Sequence, residues 1–174
     1  MKIYCNLIGV LLAACVIVQL GFFVTAWSGV QAPGAFVQIS VKGLDVAQMR
    51  ALTPVQRAAG AALALPALLA LCYGMVRLAR LLANVARGAV FTSATIGHLR
   101  AFAGATLLST LLAVAEPPLR TVMLHLAFAL PASRFTVGFS SEELMLVLVC
   151  ALFFLVTNLM HEGRRLAEEN EGFV

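Results

Sequence analysis

Charge is what this sequence has least of. Only 11% of its 174 residues are charged, against about 25% in ordinary soluble proteins, and 61% are apolar against about 45–50%. So few charges cannot supply a polar shell around so much apolar surface, which excludes a soluble fold and leaves lipid as the surrounding medium. The length suits one domain over residues 1–174. A formal net charge of +4, scattered along the chain, is too small to indicate nucleic acid.

Cysteine chemistry is missing as well. Cys5, Cys15, Cys72 and Cys150 all sit in apolar runs and none forms a C-x-x-C pair. A disulfide framework, a thiolate metal site and a quinone-linked disulfide-generating enzyme all need cysteines in pairs. His98, His125 and His161 lie on different segments and both sides, so they cannot converge on a metal or haem, and His161-Glu162 lacks the second histidine of a metalloprotease motif. No nucleophile stands beside a base and no carboxylates are paired at a site. The expectation is a protein that is not an enzyme and holds no cofactor or metal.

What the chain does have is charge-free length. Residues 3–41, 58–76, 101–115 and 144–161 carry no Asp, Glu, Lys or Arg, and about 20 helical residues cross a bilayer. The first span is expected over 3–27, before Ser28-Gly29 and Pro33-Gly34, with Trp27 half wet at the outer interface. The second runs over 58–76, with Pro54 just ahead of it. The fourth runs over 144–161, opened by Ser140-Ser141-Glu142-Glu143, whose serines cap free N–H groups and whose carboxylates suit the positive end of the helix.

The third span is expected over 95–116, with His98 and Arg100 reaching back to the surface. Pro117-Pro118 should end it, because helix is disfavoured just before proline. Residues 119–130 are too few to cross and read as a short amphipathic helix on the outer surface. Leu119, Val122, Met123, Leu126 and Leu130 would share one side, with Arg120 and His125 elsewhere. Glu116, the candidate intramembrane ionisable residue, then falls at the span's outer end, where it should be hydrated. Glu116→Gln would change stability by only about a few tenths of a kcal/mol. The alternative makes Glu116 a proton or cation site.

Two processing signals bear on the first span. Leu12-Ala13-Ala14-Cys15 has lipobox form, but residues 16–24 stay almost wholly apolar after it; Val24-Thr25-Ala26 has cleavage-site form, but behind too long an apolar run. An uncleaved first helix is expected. Four spans put the termini and the connection from Arg77 to Arg100 on one side, with Lys2, Arg77, Arg80, Arg87, Arg100, Arg164 and Arg165, against Lys42, Arg50, Arg57, Arg120 and Arg134 on the other. The weight lies at span ends, so both termini are expected in the cytoplasm.

Arg77, Arg80 and Arg87 follow helical spacing, with Asn84 on the same stripe. Each such charge near an anionic leaflet contributes about 1 kcal/mol. They are candidates for lipid anchoring or for docking an acidic partner. Gly88 should end one helix, Phe91 dip into the interface, and Thr92 or Ser93 cap the next. In the tail over 162–174, Arg164 with Glu168 and Arg165 with Glu169 are four apart, which weakly supports a helical extension.

The turn Gly88, Phe91, Thr92 and the tail Glu168, Glu169, Asn170, set among four spans, resemble the bacterial membrane family called domain of unknown function 2975. The resemblance covers nearly the whole chain. It implies a bacterial inner-membrane protein with no settled activity and no catalytic residues. It also hints at a soluble cytoplasmic regulator of the helix-turn-helix type as partner, since such genes often stand beside those of the family.

The fold expected is therefore all-α, a polytopic membrane protein with four transmembrane helices in a small bundle and one surface helix. Small residues at 58–62 and 101–105 permit close helix packing, within the chain or between copies in a homo-oligomer. The function expected is binding of a cytoplasmic partner, in signalling or regulation, through the inner loop and the tail: Arg77, Arg80, Arg87, Arg164, Arg165, Glu168, Glu169 and Asn170. The alternative is a small oligomeric transporter or pore subunit with Glu116 in its path.

Overall fold

A computed structural model describes residues 2–28, 41–44, 46–88, 92–128 and 141–171, without the side chains of 2–5, 46, 164 and 166–171. Five helices form: α1 (Lys2–Ser28), α2 (Val46–Ala51), α3 (Pro54–Ala86), α4 (Ser93–Phe128) and α5 (Ser141–Glu171). All but the six-residue α2 are long and apolar enough to cross a membrane.

Local chemistry fixes the helix ends. At α3, the Thr53 hydroxyl accepts from the Gln56 N–H (3.4 Å) while the Gln56 side chain accepts from the Thr53 N–H (2.8 Å). This reciprocal cap satisfies two donors, and Pro54 follows at the first helical position, where it needs none. Arg57, one turn in, donates to the Met49 and Arg50 carbonyls at 3.2 Å each and so closes the end of α2. Gly88 stops α3 as expected, with φ +85°, which glycine adopts at no steric cost. Thr92 caps α4, its hydroxyl accepting from the Thr95 N–H at 3.3 Å. Phe91 and Ser140, given roles in interface and cap by the sequence, lie outside the described residues.

The helices pack in chain order: α1 on α3, α3 on α4, α4 on α5. Lipid already shelters apolar groups from water, so packing helices together gains little hydrophobic energy and contacts depend on close approach and interhelical hydrogen bonds. Gly60 lets the Trp27 ring lie on α3, where a Cβ would overlap the indole. Gly74 brings α3 against Ala105 and Thr106 of α4. Ser109 of α4 donates to the Ala67 carbonyl of α3 at 2.8 Å. Phe102 and Phe153 join α4 to α5 edge to face, with centroids 5.5 Å apart. α5 turns Cys150 and Thr157, seven residues apart, inward.

Two expectations fail here. The third helix does not end at Glu116: α4 runs unbroken through Pro117-Pro118 to Phe128. No separate surface helix exists at 119–128, and residues 129–130 lie outside the described part. The prolines remove two successive N–H donors, but a helix buried among others or in protein-lined space tolerates this. Helix across the prolines is also what brings Arg120 onto Glu116, four residues back. Trp27 likewise is not half wet: protein covers all but 8% of it.

Candidate functional site

Polar side chains gather at the two opposite ends of the helical row. At one end, the chain leaves α1, passes Lys42 and Gly43, and enters α2 and α3. There Arg120 of α4 is the largest fully buried side chain. One guanidinium nitrogen meets the Glu116 carboxylate at 2.5 Å, and another donates to the Lys42 carbonyl. The guanidinium also sits 6.0 Å over the Trp27 ring, so a single cation ties α4 to α1 and to the segment before α2. Gly43, at φ +80°, lets the backbone turn beside Arg120. The Lys42 ammonium in turn pairs with Glu143 in the first turn of α5.

Glu116 is therefore not exposed at the end of a helix. It is buried, 7% exposed, and lines an open cavity of 270 Å³ with Gln19, Trp27, Ser109 and Val41, beside apolar residues of α1 and α3. An unpaired carboxylate in such a place would be costly, and Arg120 offsets part of that cost by pairing with it. Sequence reasoning missed the partner, although the signal was present. Glu116 and Arg120 are spaced i, i+4, the spacing that faces side chains on a helix.

At the other end lie the end of α3, the start of α4 and the last turns of α5. Arg77 stacks on Tyr73 at 4.9 Å, and its guanidinium also donates to the Tyr73 hydroxyl (2.8 Å) and to His98 Nδ1 (3.4 Å) of α4. Arg80 and Arg87 are exposed on α3 and on its cap. Arg165 is exposed and pairs with Glu162 at 3.0 Å. Glu168, Glu169 and Asn170 continue α5 along its backbone; their side chains and that of Arg164 lie outside the described ones. Arg77, Arg80, Arg87 and Arg165 thus share one end of the molecule with His98, Arg100 and His161, while Glu116 is at the opposite end.

The thiols of Cys15, Cys72 and Cys150 are free. Among the described residues no three His, Cys, Asp or Glu side chains stand close enough to hold a metal ion.

Four membrane-length helices, packed side by side with their charges at the two ends, define an all-helical multi-pass membrane protein. Within that class, the chain belongs to the family described as Protein of unknown function (DUF2975), whose family model matches residues 45–173. The match holds α2 to α5 and both quoted motifs, Gly88-Phe91-Thr92 and Glu168-Glu169-Asn170. No curated protein and no solved structure matches the chain.

Proposed function

We propose that this is a non-enzymatic protein of the bacterial inner membrane that binds a soluble partner at its cytoplasmic end. One observation carries the reading: α3 and α5 are both longer than a bilayer requires and both run into charged residues at the same end of the bundle. α3 has 33 residues, about 50 Å of helix, against about 30 Å of hydrocarbon. Its surplus carries Arg77, Arg80 and the cap Arg87, and no acidic residue occurs between Asp45 and Glu116. α5 runs on through Glu162, Arg165 and the Glu-Asn tail to Glu171. A basic post and an acid-rich post lie at the same end, where Arg80 and Arg87 are exposed.

The same end is the cytoplasmic one by charge. Arg120, counted on the opposite side, is buried against Glu116 and is no free surface charge. With it set aside, the excess of exposed arginine at the α3 end grows, which favours cytoplasmic termini. Crosslinking in intact membranes from positions 80 and 165 tests the reading. A soluble regulator attached to both positions is the expected product; copies of this chain alone would count against it.

A second reading has its own observation. A buried carboxylate in a 270 Å³ cavity could serve as a proton or cation site in a small oligomeric transporter. Glu116 would then have to part from Arg120 during each cycle, and Glu116→Gln would stop flux into vesicles. The pairing makes the residue a clamp first, so this reading stands second.

A further inference from the structure

A second cavity, of 390 Å³, opens between the start of α4 and the last turns of α5. Three of the residues around it can be cationic: Arg100 from α4, His161 and Arg165 from α5. Asn158 adds an amide, and Ser93 brings in the first turn of α4, the positive end of that helix. Ile96 supplies an apolar wall, and Gly97 leaves room in the middle, since a Cβ there would meet nothing within 4 Å. Thr157 contributes little hydrogen bonding, because its hydroxyl is engaged with the Phe153 carbonyl at 2.7 Å. Glu162 pairs with Arg165 at 3.0 Å and so shares it with the cleft.

The volume lies within the range of small-ligand pockets. The lining is basic, open on one side, and placed where charged residues begin and the apolar part of α4 and α5 ends. Basic pockets between membrane helices at this level are suited to phosphate headgroups, with chains left in the bilayer. We propose that the α4–α5 cleft binds a phosphate group, held by Arg100, His161 and Arg165 and delivered by an anionic phospholipid. Free inorganic phosphate shares the chemistry and is the other possible source.

The cleft is independent of partner docking. Deleting residues 167–174 removes none of its lining, so lipid retention and partner capture are separate readouts. The test is native mass spectrometry of the full chain released from detergent, after exposure to phosphatidylglycerol, to phosphatidylcholine or to inorganic phosphate. Phosphatidylglycerol should be retained above phosphatidylcholine, with inorganic phosphate failing to displace it. Arg100→Gln should weaken retention about fivefold, the effect of one cation near an anionic headgroup. Gly97→Leu starts from a position where a Cβ meets nothing within 4 Å, projects its side chain into the cleft and raises helix propensity, so it should abolish the selective adduct even if Arg100→Gln folds poorly. Arg80→Gln, outside the cleft, should change nothing. Retention of inorganic phosphate alone, lost in Gly97→Leu, would support the phosphate site and assign the free ion as its source. Equal retention of both lipids by wild type and Gly97→Leu would overturn the proposal.

Discussion

Glu116 and Arg120 form the pair on which the end of the molecule beside α2 turns. Removing one member of a buried ion pair leaves the other charged and unmatched, which costs about 3–5 kcal/mol. Glu116→Gln is therefore expected to destabilise the protein by about that amount, not by the few tenths expected of a hydrated carboxylate. Thermal or denaturant unfolding in detergent measures it. Replacing both residues together, Glu116→Leu with Arg120→Leu, should cost less than the two single changes added, because no charge is stranded. Additive losses would mean that the two side chains do not depend on one another. The sequence made Glu116 conspicuous but hid its surroundings. Its neighbours in the chain, Pro117 and Pro118, suggested an end of helix, whereas its neighbours in space are Arg120, Trp27 and the Lys42 carbonyl, which only the fold assembles.

Helices were legible by their uncharged cores and misjudged at their ends. The helix expected over 3–27 is α1 almost residue for residue, because no charged side chain interrupts it. Spans expected over 58–76 and 144–161 lie inside α3 and α5, which extend beyond them. Length of an apolar run measures the lipid crossing, not the helix, and polar helix continues into water without a sequence break. Thr53 with Gln56 was a readable cap that places the start of α3 ahead of Ala58. The larger error concerned α4, where the local preference against helix before proline was outweighed by tertiary ties on both sides of Pro117-Pro118. Continuity of α4 is directly measurable. Spin labels at the exposed positions Leu108 and Leu126, 18 residues apart along one helix, should lie about 27 Å apart at the level of the backbone. A distance well below that, as a helix folded back at the prolines would give, would restore the separate surface helix.

At the scale of the whole molecule, packing in chain order places a clamp at one end and a basic face at the other. The clamp of Arg120, Lys42, Glu143 and Trp27 joins α1, α4 and α5. At the basic end Arg77 ties α3 to His98 of α4, while Arg80, Arg87 and Arg165 are exposed. Reporter fusions after Arg87 and after Val174 should both report the cytoplasm, and one near Val41 the opposite compartment. Arg87 and Val174 in different compartments would break the four-span arrangement. Composition alone made the membrane class legible, and two short motifs made the family legible. The two cavities were not legible, because each is lined by residues of separate helices whose facing is settled only by packing.

The proposed docking role rests on the polar ends of α3 and α5, so the most direct test removes one of them. Membrane crosslinking from position 80 should be compared in wild type, in a chain lacking residues 167–174, and in Glu116→Gln, with the inserted fraction measured for each. The expected result is normal insertion with partner capture lost in the truncated chain, and capture kept by the folded fraction of Glu116→Gln. Capture unchanged by the truncation, with activity abolished by Glu116→Gln in protein that remains folded, would contradict the docking role and favour a path through the buried carboxylate.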